Sequence, residues 1–211
     1  MLWRHGRTEW NATGRFQGQL DPPLDSVGAA QAVSAAEVIA ALEPSLLVAS
    51  DLLRATTTAE ALTRRCHLVA RHDERLRELH LGGWQGLDRG EVEARFPDEY
   101  AAWVAGEDVR RGGGETYAEL GARGSAAVLD AVTGVEDGEL VVAVTHGGTA
   151  RATIGVLLDL PADTWWRLGP LGNARWSVLV ETPPGWRLVE HNAGVPDVAV
   201  TEEERAGDDG R

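Results

Sequence analysis

The chain has 211 residues, 43% of them hydrophobic and 25% charged, with a formal net charge of −13. A chain of this length buries roughly 70% of the surface its unfolded form exposes, so one domain needs neither a disulfide nor a metal to hold it. The acidic balance excludes a protein that grips a nucleic-acid backbone, and no apolar run approaches the ~18 residues of a membrane-spanning helix. The lone cysteine, Cys66, excludes an internal disulfide and fits a reducing cytoplasm, which is the expected compartment. All 20 basic residues are arginine. Local clusters of them can still focus positive potential on a small anion.

Taken in chain order, "LW" before Arg4 reads as the stub of a strand. Residues 5–24 read as irregular, punctuated by Gly6, Gly14, Gly18 and Pro22-Pro23. "DSVGAAQAVSAAEVIAAL" predicts a helix capped by Asp25 or Ser26, and "SLLVAS" a short buried strand. Asp51 is the expected cap of a second helix, "LLRATTTAEALTRRC", followed by a strand candidate in "HLVAR". Residues 88–105 read as helical with a break at Pro97, "RRGGGE" as a flexible loop within a 106–115 segment that reads as a lid or flexible edge, and Thr116 as the start of a helix to about residue 133. "ELVVAVT" is the clearest strand; Gly147-Gly148 and the helix "TARATIGVLLDL" follow it. Two late strands, "ARWSVLVE" and "WRLVEH", flank a turn at Pro183-Pro184-Gly185. Residues 1–194 then form one domain, and the acidic tail 195–211 is expected to be disordered. Alternating strands and helices predict an α/β layered fold with a mostly parallel sheet.

The groups able to do chemistry share a place in that pattern. His5 follows the first strand, Ser50, Asp51 and Arg54 follow "SLLVAS", and His146 follows "ELVVAVT". Ligands of open parallel sheets gather beyond the carboxyl ends of the strands, so three strands would deliver these groups to one edge. His5 lies between Arg4 and Arg7, and cations beside an imidazole oppose its protonation. A neutral imidazole among guanidinium groups suits nucleophilic attack on a phosphate monoester, with a phosphohistidine intermediate. Arg54 would serve the phosphate from a solvent-facing position. Glu78 is the candidate proton donor to the leaving oxygen, with Glu74 as its rival, and His146 a second donor to the phosphoryl oxygens. No metal-ligand spacing occurs among the remaining histidines, and neither a metal nor another cofactor is expected.

The segments "RHGRTEWN", "SDLLRATTTAE", "ELHLGGWQGL" and "VTHGG" resemble, in order and spacing, four motifs of the histidine phosphatase superfamily, the phosphoglycerate mutase-like fold. That resemblance implies a three-layer αβα sandwich with a mostly parallel central sheet. It implies His5 as nucleophile, Arg4, Arg54 and His146 as the phosphate pocket, and Glu78 as proton donor. Asn11, Gln17 and Gly18 sit where relatives contact the phosphate from the first loop. Three further tracts, "GQLDPPLDSVGAAQAVSAAEV", "LRELHLGGWQGL" and "GPLGNARWSVL", most resemble the glucosyl-3-phosphoglycerate phosphatase subfamily. The implied partner is a small phosphorylated substrate, with a second copy of the chain as a possible companion, and neither nucleic acid nor membrane.

Two other readings compete. A phosphoglycerate mutase would return the phosphoryl group to another hydroxyl; the short, glycine-containing stretch 87–115 favours hydrolysis instead. A non-catalytic phosphoryl-binding module would be expected to lack one of the catalytic residues, and this chain has them all.

Overall fold

The computed structural model describes residues 1–195. The acidic tail lies outside the described residues, except for its first position. Six strands form one sheet in the order β3-β2-β4-β1-β5-β6. They are β1 (Leu2–Arg4), β2 (Leu46–Ala49), β3 (Arg71–His72), β4 (Val141–Thr145), β5 (Trp176–Thr182) and β6 (Gly185–Ala193). Strands β1 to β4 run parallel; β5 and β6 form an antiparallel hairpin that extends the sheet beyond β1.

Side chains alternate across the sheet, and each face has its own core. Trp3, Leu47, Ala49, Val142 and Val144 meet the alanine-rich faces of α2 (Ser26–Ala40) and α3 (Leu53–Cys66). Leu2, Leu46, Val48, Val141 and Ala143 point the other way, onto α6 (Tyr117–Val132) and α7 (Gly147–Leu157). The architecture is therefore three-layered, as expected. Each fully buried Leu, Ile or Val stabilises it by about 1.5–3 kcal/mol of transfer free energy. A third cluster joins Phe16, Leu79, Leu81 and Trp84 to the short helices α4 (Arg89–Arg95) and α5 (Pro97–Val104), which roof one end of the sheet. No helix among the described residues is long and apolar enough to cross a membrane.

Four local expectations are corrected. The first loop holds a short helix, α1 (Glu9–Ala12), started by a reciprocal capping box between Thr8 and Asn11. The strand sought in "HLVAR" is only Arg71–His72, paired with β2 at Val48 and Ala49. Asp51 does not cap α3. The guanidinium of Arg77 takes both its carboxylate oxygens, and the Leu53 N–H goes to Asp21 Oδ1 at 2.7 Å instead. A bidentate, charge-assisted pair outcompetes a single backbone donor. The 106–115 segment is not loose either. The Gly112 N–H donates to Glu99 Oε2 at 2.6 Å, and the loop backbone packs so closely on Gly82 that a side chain there would collide with the Gly112 carbonyl.

Candidate active site

Parallel pairing of β2, β4 and β1 puts three strand ends side by side, and the next residues are Ser50, His146 and His5. The two imidazoles, so distant in sequence, lie with ring centres 5.1 Å apart. Both are buried, with His5 at 2% exposure and His146 at 0%.

Hydrogen bonds fix the state of His5. Its Nδ1–H donates to the Gly6 carbonyl at 2.7 Å, which leaves the lone pair on Nε2. The same turn is held by the Gly6 N–H donating to Thr58 Oγ1 at 3.1 Å. Burial is the main reason the His5 pKa falls well below its ordinary value; the charges of Arg54 and then Arg4 push it further. The direction is the one read from the sequence, but the agent is partly different. Arg7 is turned away into an ion pair with Asp25 at 2.8 Å, and Arg54, from α3, takes the place assigned to it.

Arg54 itself is 0% exposed, not solvent-facing. Its Nε–H donates to His146 Nδ1 at 3.2 Å, and its terminal nitrogens donate to the carbonyls of Gly18 at 2.7 Å and Leu20 at 2.8 Å. Burial lowers its pKa to about 10, which keeps it charged at neutral pH. These three bonds leave two of the five N–H groups of a guanidinium for an anion. Because His146 accepts at Nδ1, its proton is on Nε2, which donates to Ser50 Oγ at 2.9 Å. Both ring nitrogens are thus engaged by protein, and donation to a phosphoryl oxygen would require Nε2–H to leave Ser50. Arg54→Ala is expected to lower kcat by about 10²–10³, the loss typical of one charge-stabilising donor. It should also lower stability by roughly 1–3 kcal/mol, because buried acceptors lose their partner. Thermal melts beside steady-state kinetics check both; an unchanged midpoint would contradict the buried role.

The first loop supplies the rest of the anion cradle. Asn11 is 7% exposed, and its Oδ1 accepts from the Thr8 N–H, Thr8 Oγ1 and Asn173 Nδ2 at 3.0, 3.0 and 3.2 Å. The two N–H donors, from Thr8 and Asn173, fix the amide orientation, and Nδ2 is left buried without a partner among the described residues. A buried donor in that state costs free energy until an acceptor arrives. Gln17, also buried, shares Thr8 Oγ1 through its Oε1 at 3.0 Å. Gly18, the next residue, offers its carbonyl to Arg54 at 2.7 Å and so holds that guanidinium in place. Arg4 is 4% exposed and is anchored by donation to the Leu171 carbonyl.

Glu78 lies against the N-terminus of α7. Its Oε2 accepts from the Gly148 N–H at 3.0 Å, and its Oε1 from the N–H groups of Leu79 at 2.8 Å and Thr149 at 3.1 Å. His146 is the N-cap residue of α7 and makes no side-chain cap, so the carboxylate of Glu78 does that work from outside the helix. Glycine is needed at 148, since a β-carbon there would lie 2.6 Å from Glu78 Oε1. The rival Glu74 is 75% exposed at its side chain and reaches only Arg77, at 3.4 Å. Sequence reasoning did not find Arg123, which donates to the carbonyls of Arg75, Arg77 and Glu78 and pairs with Glu115, so pinning the Glu78 segment. Nor did it find Asn173, which braces both Asn11 and the His5 carbonyl. An arginine within a helix and an asparagine after a glycine carry no local mark of such work. Among the described residues no three His, Cys, Asp or Glu side chains gather to hold a metal ion.

A buried neutral imidazole, two guanidinium groups, an unpaired amide donor and a carboxylate at a helix N-terminus therefore converge on one sheet edge. The family model for the histidine phosphatase superfamily (branch 1) matches residues 1–194. The chain belongs to this superfamily. It is 41% identical over 208 residues to a glucosyl-3-phosphoglycerate phosphatase of Mycobacterium tuberculosis, covering 92% of this chain and 93% of that protein. It is 39% identical over 158 residues to a metal-independent phosphoserine phosphatase of Arabidopsis thaliana, covering 72% of this chain and 65% of that protein. A solved mycobacterial glucosyl-3-phosphoglycerate phosphatase, in complex with VO3, superposes with a TM-score of 0.86 at 42% identity, covering 92% of this chain and 98% of the other.

The electrostatics of this histidine phosphatase carry a stability cost in acid. His5 and His146 both have pKa values well below the ordinary 6.5, chiefly through burial. Below about pH 6.5 the unfolded chain protonates both while the folded chain does not, so stability falls as pH falls. The slope from the pair is about 2.7 kcal/mol per pH unit until the folded-state values are reached. Melting midpoints between pH 7.5 and 5 should drop accordingly, and His146→Gln should roughly halve the dependence. A flat profile would contradict neutral burial of the pair.

Proposed function

We propose that this histidine phosphatase hydrolyses small phosphate monoesters by way of a phosphohistidine on His5, with glucosyl-3-phosphoglycerate as its foremost candidate substrate. The observation that carries the mechanism is the His5 tautomer: with Nδ1–H committed to the Gly6 carbonyl, Nε2 is the free nucleophile. Nε2 attacks phosphorus in line and the P–O bond to the alcohol breaks. The departing oxygen takes the proton of the Glu78 carboxyl. Arg4, Arg54 and Asn11 Nδ2 meet the equatorial oxygens, whose charge dominates a loose phosphoryl-transfer transition state. Water then attacks the phosphohistidine, giving its proton to the Glu78 carboxylate; the P–N bond breaks, phosphate leaves and neutral His5 returns. His146 positions Arg54. Charge compensation comes from guanidinium groups, so the chemistry proceeds without a metal.

The substrate reading is supported by the subfamily tracts and by the extent of likeness to the mycobacterial phosphatases. A cytoplasmic location and a homodimer extend the same reading; the single cysteine fits the first, and size-exclusion chromatography tests the second. The deciding experiment measures phosphate release in EDTA from p-nitrophenyl phosphate, glucosyl-3-phosphoglycerate, 3-phosphoglycerate and phosphoserine. Release of phosphate from glucosyl-3-phosphoglycerate at a higher kcat/KM than from the others is expected. Interconversion of phosphoglycerates with little free phosphate would establish a mutase instead, and no turnover of any would leave a binding module.

A further inference from the structure

Beside the catalytic groups lies a cation that the protein does not neutralise. Arg111 is 7% exposed. Its guanidinium carbon lies 5.7 Å from the ring centre of Trp103 and 5.1 Å from that of Tyr117. It forms no ion pair or hydrogen bond among the described residues. The other arginines around the site behave differently: Arg54 and Arg123 are tied to carbonyls, Arg77 to Asp51 and Arg123 also to Glu115. Glu99, which the same loop meets, accepts from the Gly112 N–H at 2.6 Å and Trp84 Nε1 at 3.0 Å and makes no ion pair with Arg111.

A buried guanidinium without a counter-anion is costly, and two aromatic faces return only about 0.5–2 kcal/mol each. Arg111 is nonetheless held firmly in place. Its loop packs on Gly82, and Glu99 ties the next backbone N–H. It lines a cleft together with Gln17, Glu78, Tyr117 and Gly148. The cleft thus runs from the proton donor, where the leaving oxygen must sit, to a fixed positive charge.

We infer that Arg111 is a specificity-determining residue that binds a carboxylate on the alcohol half of the substrate. The inference rests on the phosphomonoesterase reading and names a feature its substrate must have. A hydroxyl-bearing sugar alone does not compensate a buried cation. The two rings flank the guanidinium but accept none of its N–H groups as a carboxylate would, and that fork matches a carboxylate in two parallel bonds. A second phosphate dianion would fit less well, because Glu78 lines the same cleft.

The test uses a matched pair, 3-phosphoglycerate and glycerol 3-phosphate, which differ only in a carboxylate against a hydroxymethyl group. Wild type should favour the carboxylate by about 10–100-fold in kcat/KM, the range for a hydrogen bond to a charged group. Arg111→Met, which keeps an apolar stem against Trp103 and Tyr117, should bring that ratio close to one. Arg111→Lys should keep part of it. Ligand-induced thermal shifts with the same pair read the preference without turnover, and melts of the unliganded variants report folding. No preference in wild type, or equal losses on both compounds in Arg111→Met, would overturn the inference. Failure of the wider reading would look different, because p-nitrophenyl phosphate would then go unhydrolysed by wild type.

Discussion

His5→Ala is expected to abolish phosphatase turnover, by roughly 10⁴–10⁶-fold, the scale on which removing a nucleophile leaves only binding and electrostatics. No neighbouring group replaces it. The ring 5.1 Å away belongs to His146, whose two nitrogens are held by Arg54 and Ser50. In wild type, a rapid base quench with ³²P-labelled substrate should trap a protein-bound label that acid removes, as a P–N bond requires. The variant should trap none. Melts of the variant beside wild type report folding separately, and the substitution removes one of the two buried imidazoles whose lowered pKa weakens the fold in acid. His5→Ala should therefore melt with a weaker acid dependence than wild type. Activity surviving in the variant with no label trapped in wild type would leave direct attack by water, and an acid-stable label would move the nucleophile to a hydroxyl side chain.

The sheet edge could be read from the sequence because three apolar runs each end in a polar residue able to do chemistry. Strand pattern and motif position coincide at His5, Ser50 and His146, and parallel pairing of β1, β4 and β2 does the rest. Charge neighbours in sequence were a poorer guide. Arg7 adjoins His5 along the chain but pairs with Asp25, while Arg54 arrives from a helix about fifty positions later. Asp51 had the composition of a cap and was taken by Arg77. In each case a long side chain chose its partner in three dimensions, where bidentate ion pairs and burial outweigh local propensity. Arg123, Asn173 and Arg111 are hidden for the same reason. Their types are commonplace, and only packing shows that one pins the Glu78 segment, one braces a turn and one is buried without an anion.

Glu78→Gln should separate substrates by the quality of their leaving groups. Alkoxides leave badly without a proton, so turnover of alkyl phosphates should fall by about 10²–10⁴. p-Nitrophenyl phosphate should lose far less in the first step, because its phenolate needs little help. Release of the aryl group would then outrun hydrolysis of the phosphohistidine, which also needs Glu78 as base, and a burst of p-nitrophenol should precede a slow steady state. The substitution is not structurally silent. Both carboxylate oxygens of Glu78 accept from backbone N–H groups, at Leu79, Gly148 and Thr149. An amide has one acceptor oxygen, so its NH₂ must face a backbone donor at the N-terminus of α7. A stability loss of about 1–3 kcal/mol should follow. That loss is the same whichever substrate is used, so the contrast between substrates is what identifies the proton donor. Glu74→Gln serves as the control, since that side chain is 75% exposed and bonded only to Arg77. Equal losses on alkyl and aryl phosphates in Glu78→Gln would reduce the residue to a cap for α7, and a selective loss in Glu74→Gln would move the acid there.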